Sequence, residues 1–491
     1  MTNRRLSIAL LMPCLALLSW PAAASYGIYV GRNLTADGSV FLGGTGDEVS
    51  SHWLEIVPAR SYPDGATIRV GVDETAFLPG EYIEIPQARQ TARYITMNYT
   101  EFEGFPPPLT NGGLNEYGVA ARDIWMDSRP ELVKMTPAPQ HGPNYSDLSR
   151  IAMERAHSAA EAVTIIGGLI DKYGYSSYGG NSHMFADAKE GWVLLDFAGG
   201  QGLWVARRLG PDEVVMFYPG YIDEVPADFK SNPDYRGSDN FISFAVQQGW
   251  YDPRAGRPLD VAAVYGTPEI RYPREEMEAE LKRDAPISLR HMLNTVRDRR
   301  ISKDASGYGQ VARLKAGVPA ELRTLWVAPT GAITAPFLPW RIGVQSVPPE
   351  FGKHRYLTKN QSRGFVTRDW QVQEATLFAG RLFKRLMYFT CDRPAKFLPE
   401  VSEALTGFED RLLAEQAAVE RTAGALYAAG EPALARDYLT EYTRGRAGEA
   451  LDLGAALLAS VEARTRVLYG IRQPESDTMS RLDYQMVSCR E

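Results

Sequence analysis

The sequence predicts an α+β protein in which strands and helices are grouped in blocks. Short strand-like runs open the chain after residue 24 and return between residues 184 and 217, with a helical stretch between them. A second helical region, rich in Ala, Leu, Glu and Arg, extends from residue 369 to residue 471. Because helices do not alternate singly with strands, the pattern favours α+β over a doubly wound parallel fold.

The strands are predicted from turn chemistry and short apolar runs. Asp37-Gly38 separates a run over residues 25–31 from one over residues 39–43, which indicates a hairpin. A second hairpin is predicted around the turn at residues 115–118, between runs at 112–114 and 119–122. Further strands are predicted over residues 184–186, 192–197, 203–207, 214–217 and 324–328.

The helices are indicated by their capping residues and by composition. Ser158 and Glu161 form a capping box inside the first helical stretch, so two helices are predicted to meet near His157, and Gly174 is a stop signal. Another helix is predicted over residues 289–299. No interdomain linker is evident. The sequence therefore predicts one core over residues 25–368, with a helical C-terminal extension over residues 369–491 packed on it.

The first 24 residues have the pattern of a secretory signal peptide. Arg4 and Arg5 precede an almost wholly apolar run over residues 6–20, and small residues follow up to Ala24. The run is shorter than the about 20 residues that a membrane span needs. Cleavage after Ala24 would leave a secreted or periplasmic chain that begins at Ser25 and has no membrane attachment. An uncleaved N-terminal anchor is the alternative.

The composition is that of an ordinary globular protein. The chain has 491 residues, 44% hydrophobic and 23% charged, with a formal net charge of −7. It has no overall basic bias, so no nucleic-acid partner is predicted. Three cysteines and six scattered histidines form no metal-binding pattern, and we expect neither metal nor cofactor. The sequence leaves open whether Cys391 and Cys489 pair and whether the chain is a homo-oligomer.

Ser25 is the most informative residue because cleavage would make it the N-terminus. A free α-amine has a pKa of about 7.7–8.0, which suits a general base near neutral pH. A serine hydroxyl is a nucleophile that needs such a base, so one residue can supply both groups without a histidine. Motifs of nucleotide-binding proteins, zinc proteases and Gly-x-Ser-x-Gly hydrolases are absent. The alternative is that Ser25 is merely a small residue tolerated after a cleavage site.

The N-terminal pattern continues beyond Ser25. The strand ending Val30-Gly31, the turn Asp37-Gly38-Ser39 and the acid Asp47 follow it in order, and weaker matches extend as far as residue 266. With these pieces the mature chain resembles the secreted dipeptidase family of the N-terminal-nucleophile (Ntn) hydrolases. That family includes bacterial dipeptidase A and the secernins, and it is related to penicillin V acylase and bile salt hydrolase.

The resemblance implies a four-layer αββα sandwich and a peptidase acting on small peptide substrates, most simply a dipeptidase. It places Ser25 where the family has its nucleophilic cysteine. Asn115 falls where relatives have an oxyanion-hole asparagine, and Asp47 matches an acid that positions the N-terminal amine. Asn115 could instead be an ordinary turn residue, and Asp47 a solvated loop acid.

Three further residues are predicted to contact the substrate: His183, Trp125 and Tyr218. A structural role is the alternative for His183, and a core position for Trp125. Tyr218 stands near a position where relatives often carry Asn, and Gly44 stands where they commonly carry Arg. These departures leave two alternative functions. One is a penicillin-type or bile-acid-type acylase acting on N-acyl amino acids, and the other is a catalytically impaired periplasmic binding protein.

Overall fold

The structure is a computed structural model that describes residues 25–46, 52–99, 104–106, 109–217, 220–222, 224–267, 274–303, 305–354, 375–470 and 489. The predicted signal peptide at residues 1–24 lies outside the described residues. Within those ranges, none of the helices combines the length and the apolar character of a membrane span.

The described strands confirm both predicted hairpins, since β1 pairs antiparallel with β2, and β10 pairs antiparallel with β11. In chain order the strands are β1 (Tyr26–Val30), β2 (Val40–Gly46), β3 (His52–Val57), β4 (Arg60–Ser61), β5 (Thr67–Val70), β6 (Ile83–Pro86), β7 (Gln90–Thr91), β8 (Tyr94–Tyr99), β9 (Leu109–Thr110), β10 (Gly112–Asn115), β11 (Ala120–Trp125), β12 (Gly180–Ala186), β13 (Gly191–Phe197), β14 (Trp204–Leu209), β15 (Val214–Phe217), β16 (Glu224–Val225), β17 (Tyr235–Gly237), β18 (Leu259–Asp260), β19 (Tyr308–Leu314), β20 (Thr324–Ala328) and β21 (Leu338–Arg341).

The described helices include the predicted pair that meets near His157, the helix predicted over residues 289–299 and those of the C-terminal region, together with four others that were not predicted. In chain order the helices are α1 (Pro130–Met135), α2 (Tyr145–Arg155), α3 (Ala159–Tyr173), α4 (Phe241–Gln247), α5 (Val261–Tyr265), α6 (Arg274–Arg283), α7 (Leu289–Arg297), α8 (Ala379–Asp392), α9 (Pro394–Ala428) and α10 (Pro432–Tyr469). The predicted break near His157 separates α2 from α3, where the Ser158 hydroxyl accepts the N–H of Glu161 at 3.1 Å. Gly174 ends α3 with a φ of 83°, a conformation that glycine adopts readily.

Two large antiparallel sheets form the centre of the fold. One has six strands in the order β15-β1-β2-β19-β20-β21, and the other has the order β17-β14-β13-β12-β11-β10-β8-β3 with β9 beside β8. Helix α7 packs on the outer face of the six-stranded sheet, where a Cβ on Gly43 would meet Met292 and one on Gly309 would meet Val296. Helices α2 and α3 cover the outer face of the nine-stranded sheet. The layers therefore stack as αββα, which confirms the predicted fold class.

The C-terminal helices pack on this sandwich through a shared core and a buried ion-pair cluster. The main hydrophobic core contains residues of β1 as well as Phe397 and Val461 of α9 and α10. Glu409 of α9 is fully buried, forms ion pairs with Arg290 and Arg297 of α7, and accepts the N–H of Phe337 at 2.8 Å. A buried carboxylate requires partners for its charge. Through these ion pairs, Glu409 holds α9 against α7, the helix that packs on the six-stranded sheet.

Cys391 and Cys489 form a disulfide that connects residues 98 positions apart in the sequence. Cys391 lies near the end of α8 and packs with Met387 and Ile333, and Cys489 joins the same buried cluster. The sequence had left this pairing open, because two cysteines alone do not determine it.

Candidate active site

Ser25 immediately precedes β1, a strand inside the six-stranded sheet, and is 4% exposed. The next residue, Tyr26, pairs with Thr45 of β2 and donates its N–H to the Thr45 hydroxyl at 3.3 Å. A Cβ on Gly27 would meet Met184 of β12. Because side chains alternate along a strand, Ser25 falls on the same face as Gly27, between the two sheets.

Arg122 of β11 is a buried charge at this end of the sandwich that the sequence predictions missed. Its guanidinium donates to the Thr45 carbonyl and, at 2.6 Å, to the Tyr308 hydroxyl, while the Asp123 carboxylate lies 3.7 Å away. Arg122 therefore joins the nine-stranded sheet to β2 and β19 beside the start of β1. An arginine within the apolar run of residues 119–125 is the signal that could have revealed it, because a buried charge requires specific partners.

Asn115 lies away from Ser25, at the opposite end of β10. Gly112, the first residue of β10, pairs with Arg122, whereas Leu114 pairs with Ala120 at the other end. At about 3.3 Å per residue, Asn115 is about 10 Å further along the strand than Gly112. The structure therefore separates Asn115 from the site that the sequence had predicted it to join.

The Asn115 side chain is also fully engaged in holding its turn. Its carboxamide oxygen accepts the N–H groups of Tyr117 and Val119 at 3.1 and 2.9 Å. Its NH₂ group donates to the carbonyls of Met153 and Ala156 at 3.1 and 2.8 Å. Both amide hydrogens are thus used, and none remains for an oxyanion. The structure corrects the oxyanion prediction and supports the alternative, a turn residue that ties the β10–β11 hairpin to the end of α2.

His183 faces away from the space between the sheets. Its neighbour Met184 lies against Gly27, so alternation along β12 directs His183 to the opposite face, together with Phe185. Phe185 belongs to the core between the nine-stranded sheet and α2 and α3. The nine-stranded sheet therefore lies between His183 and Ser25, and the predicted substrate contact of His183 is corrected to a structural position.

The contacts of His183 form a sealed polar cluster in the helix-facing core. Its Nε2 lies 3.1 Å from the Asp196 carboxylate and its Nδ1 lies 3.4 Å from the Ser149 hydroxyl, and all three residues are at most 1% exposed. Burial raises the pKa of Asp196, although the hydrogen bond with His183 opposes this shift. Burial, followed by the charge of Asp196, raises the pKa of Tyr175 well above its usual value. This order resembles a Ser-His-Asp triad, but the cluster lies inside the core between the nine-stranded sheet and helices α2 and α3, on the far side of the sheet from Ser25.

The remaining predicted site residues are only partly described. Trp125 ends β11 and is half-buried, and its ring stacks with Tyr178 at a centroid distance of 6.3 Å. Tyr178 in turn packs against Tyr145 at 5.0 Å, so Trp125 belongs to an aromatic group. Its role as a pocket residue stays a prediction. Asp47 and Tyr218 lie outside the described residues, and their roles stay predictions as well.

Two cavities lie at opposite ends of the six-stranded sheet. One of about 310 Å³ is lined by Gly307 and Thr330, next to the end where β1 begins. A larger one of about 430 Å³ is lined by Leu314 and Lys315, at the far end of β19. Because Ser25 stands at the first end, the smaller cavity is the one adjacent to the candidate site. In the described part of the chain, no three His, Cys, Asp or Glu side chains are grouped to hold a metal ion.

Comparison with known proteins supports a peptidase relationship. A family model described as "Peptidase family C69" matches residues 26–272, just over half of the chain. A probable dipeptidase of Salmonella dublin is 28% identical over 166 residues, which cover 33% of this chain and 37% of that protein. A probable dipeptidase B of Streptococcus pyogenes serotype M3 is 24% identical over 232 residues, covering 45% of this chain and 44% of that protein. The chain thus spans less than half the length of the curated relatives it matches.

Among solved structures, a variant of the conjugated bile acid hydrolase of Clostridium perfringens is similar, with 11% sequence identity and a TM-score of 0.30. The match covers 62% of this chain and 89% of that structure. A second mutant of the same enzyme matches with 12% identity and a TM-score of 0.29.

Proposed function

The chain belongs to peptidase family C69, and from that premise we propose that it is a peptidase that hydrolyses dipeptides through Ser25. The observation that carries the proposal is the position of Ser25, buried between the two sheets immediately before β1. The backbone nitrogen of Ser25 lies close to the hydroxyl of the same residue. Removal of residues 1–24 would turn that nitrogen into a free α-amine, so export would also create the catalytic base.

The proposed reaction uses the amine and hydroxyl of the same residue. The Ser25 amine takes the hydroxyl proton as the oxygen attacks the substrate carbonyl, and it then gives that proton to the leaving amine as the peptide bond breaks. Water attacks the resulting ester and passes a proton to the amine. The proton returns to the Ser25 oxygen when the ester breaks and the second product leaves as an acid.

The oxyanion requires donors other than Asn115, whose amide hydrogens are both used. Asn111 is buried immediately before β10, at the end where Gly112 pairs with Arg122. We therefore propose the side-chain amide of Asn111 as one of the oxyanion donors. Preorganised donors of this kind stabilise the charge that develops on the attacked carbonyl.

The disulfide supports export of the chain to an oxidising compartment, either the periplasm or the exterior. Structural disulfides persist in such compartments and are rare in reducing cytoplasm. The Cys391–Cys489 bond is buried against α8, in keeping with a structural role. Mass spectrometry of the exported protein, with and without a reductant, should show a difference of two hydrogens. Free thiols in the exported protein would remove this support.

The central experiment combines N-terminal sequencing with Ser25 variants. The exported protein should begin at Ser25, and a purified precursor that keeps residues 1–24 should not hydrolyse dipeptides. Ser25→Ala should lower kcat by at least about 10³-fold with the fold unchanged, whereas Ser25→Cys should keep turnover because a thiol can replace the hydroxyl. Ser39→Ala, a buried serine in the β1–β2 connection, is the matched control and should stay active.

Three results would contradict the proposal: a different mature N-terminus, an active precursor, or unchanged turnover in Ser25→Ala. The same assays separate the alternative functions. Turnover of N-acyl amino acids without turnover of dipeptides would favour an acylase. Binding of peptides without any turnover would favour an impaired binding protein.

A further inference from the structure

The larger cavity, of about 430 Å³, lies at the end of the sandwich opposite Ser25. It is enclosed by the β10–β11 turn, the β12–β13 turn, the connection from β19 to β20, and α9. Gly309 of β19 stands in the same row as Tyr26, since both pair with Thr45. Arg313, which lines the cavity, is four residues further along β19, or about 13 Å. The cavity is therefore separate from the candidate active site.

Arg323 presents a half-buried guanidinium to this cavity from the β19–β20 connection. A Cβ on Gly118 would lie 3.2 Å from the guanidinium carbon, and Gly118 has a φ of 85°, so glycine both forms the turn and leaves room for Arg323. The guanidinium donates to the Glu116 carbonyl, and within the described residues it forms no ion pair with a carboxylate. Burial lowers the pKa of Arg323, and the charges of Glu321 and Glu116 oppose this shift through space. Arg323 is thus a firmly held cation whose charge is not paired.

Two of the acids in the cavity wall are already committed to other groups. One Asp187 oxygen accepts the N–H of Ala159 at the start of α3 at 2.9 Å, and the other accepts the N–H of Lys189 at 2.7 Å. The N-terminus of α3 also favours a negative charge at that position. Glu190 forms an ion pair with Arg208 at 2.6 Å. Neither acid pairs with the ammonium of Lys189, which is exposed and forms no ion pair in the described part of the chain.

The third acid in the wall, Glu420 of α9, is shared with the cations of β19. Its carboxylate lies 4.0 Å from the Arg313 guanidinium, which also lies 3.9 Å from Asp37. The Lys315 ammonium lies 3.7 Å from the same Asp37. Because these two acids and two cations balance one another, the unpaired charge of the cavity stays at the wall that holds Arg323.

A fully buried cation lies directly behind the cavity wall. Arg341 of β21 pairs with Thr324 and donates to the side-chain oxygen of Gln416, and both of those residues line the cavity. Arg341 is 0% exposed, and its Nε and Nη1 have no hydrogen-bond acceptor among the described residues. Burial lowers the pKa of Arg341, and the charge of Glu420 opposes this shift. A buried charge with open donors is costly unless an opposite charge lies nearby, so an anion in the cavity would stabilise Arg341 as well as Arg323.

We propose that this cavity binds an organic carboxylate that carries an aromatic ring. The carboxylate pairs with Arg323, whose planar guanidinium can donate two parallel hydrogen bonds to such a group. The ring lies against Tyr117, which adjoins Gly118 and stacks on His157 at a centroid distance of 3.7 Å while staying 38% exposed. Apolar side chains complete the wall: Leu289, Leu314 and Trp326. The volume of about 430 Å³ falls within the range of small-molecule sites, about 300–1,000 Å³.

The test measures the binding of benzoate, benzamide and acetate by calorimetry. Benzoate should bind the wild type at least about tenfold more tightly than benzamide, because only benzoate offers a charge-assisted pair. Acetate lacks the ring and should bind about fivefold more weakly than benzoate. Arg323→Gln should weaken the binding of benzoate by about tenfold and leave that of benzamide within about twofold.

Further variants separate the two halves of the site. Arg323→Lys should bind benzoate about threefold more weakly than the wild type, since the charge stays and the bidentate geometry is lost. Tyr117→Ala should weaken benzoate by about fivefold and leave acetate unchanged. Lys189→Gln changes an exposed residue of the cavity wall that folding does not require, and it should weaken benzoate by about threefold. The matched control is Arg257→Gln, which removes an exposed cation outside the cavity and should change nothing.

The same measurements in the Ser25→Ala background keep this inference separate from the proposed function, on which it does not depend. The affinity for benzoate should be equal in both backgrounds, because the cavity lies away from Ser25. If Ser25→Ala still turns over, the nucleophile assignment fails while the benzoate affinities still test the cavity. Three results would overturn the carboxylate site: no binding of benzoate, equal affinities for benzoate and benzamide, or normal binding of benzoate by Arg323→Gln.

Discussion

Gly44 lies so close to Tyr26 that a Cβ at position 44 would overlap the Tyr26 carbonyl oxygen. Gly44 also has a φ of 149°, a conformation that residues with side chains rarely adopt. The family resemblance led us to expect an arginine here, and the backbone explains its absence. An arginine could occupy position 44 only if β1 and β2 moved apart, and β1 is the strand that positions Ser25.

Gly44→Ala should therefore destabilise the protein by more than about 3 kcal/mol or prevent folding, because the new methyl group must displace backbone. Urea unfolding followed by circular dichroism gives the free energy of unfolding. Any Gly44→Ala protein that folds should also lose the proposed hydrolysis of dipeptides, since β1 would shift at its first residues.

Gly38→Ala is the matched control for that substitution. Gly38 also has a positive φ, 73°, but a Cβ there would meet nothing within 4 Å. Gly38→Ala should lower the free energy of unfolding by only about 1 kcal/mol, which is the penalty for placing a residue with a side chain at a positive φ. Equal losses in the two variants would show that the close approach to Tyr26 is not what requires Gly44.

Asn115→Ala should affect stability and leave catalysis intact. The substitution removes the partners of two carbonyls and two N–H groups at a buried turn, so we expect a loss of about 2–4 kcal/mol in the free energy of unfolding. The kcat of the folded fraction should stay within about twofold. Asn111→Ala, which would remove a proposed oxyanion donor, should instead lower kcat by about 10²–10³-fold. A large loss of kcat in Asn115→Ala, with kcat unchanged in Asn111→Ala, would instead support Asn115 as the oxyanion donor.

The elements that local chemistry determines were predictable from the sequence. The β10–β11 hairpin and the break between α2 and α3 follow from turn and capping residues that act within about four positions. The same holds for β1 and β2, which flank Asp37-Gly38. The pattern therefore predicted the framework around Ser25, although it indicated nothing for β3–β8 or β19.

The positions of the site residues depend on long-range packing that local patterns do not report. Every residue of β12 is buried, so polar and apolar residues do not alternate along this strand in a way that distinguishes its two faces. The sequence therefore could not show on which face His183 lies. Likewise, which end of β10 lies near Ser25 depends on how the two sheets are stacked. That is why Asn115 was a reasonable candidate and Arg122 was missed.

Asp196→Asn should change how stability depends on pH. Burial raises the pKa of Asp196 in the folded protein, above the value of about 3.9 in an unfolded chain. The folded state thus favours the protonated acid, and the associated stability is present below about pH 4 and is lost as the pH rises through the folded pKa. The free energy of unfolding of the wild type, relative to Asp196→Asn, should therefore fall as the pH rises above about 4. Urea titrations at several pH values measure this difference, and parallel profiles would contradict it.

Glu409→Gln should weaken the attachment of the C-terminal helices to the sandwich. The carboxylate is fully buried, accepts from Arg290 at 2.6 Å and also binds Arg297, which is itself 8% exposed. A neutral amide would leave the Arg297 charge buried without its partner, and breaking a buried pair in this way costs about 3–5 kcal/mol. Thermal unfolding and urea titration should both show the loss.

Asp410→Asn provides the control, because Asp410 is the next residue on α9 and binds the same Arg290 from a largely exposed position. An exposed ion pair contributes less than about 1 kcal/mol, so this variant should remain close to the wild type. At higher salt concentration, the small change in the free energy of unfolding caused by Asp410→Asn should become smaller still. The loss caused by Glu409→Gln should remain, since salt screens buried ion pairs far less than exposed ones. Similar losses in both variants would mean that burial of Glu409 does not set the strength of this contact.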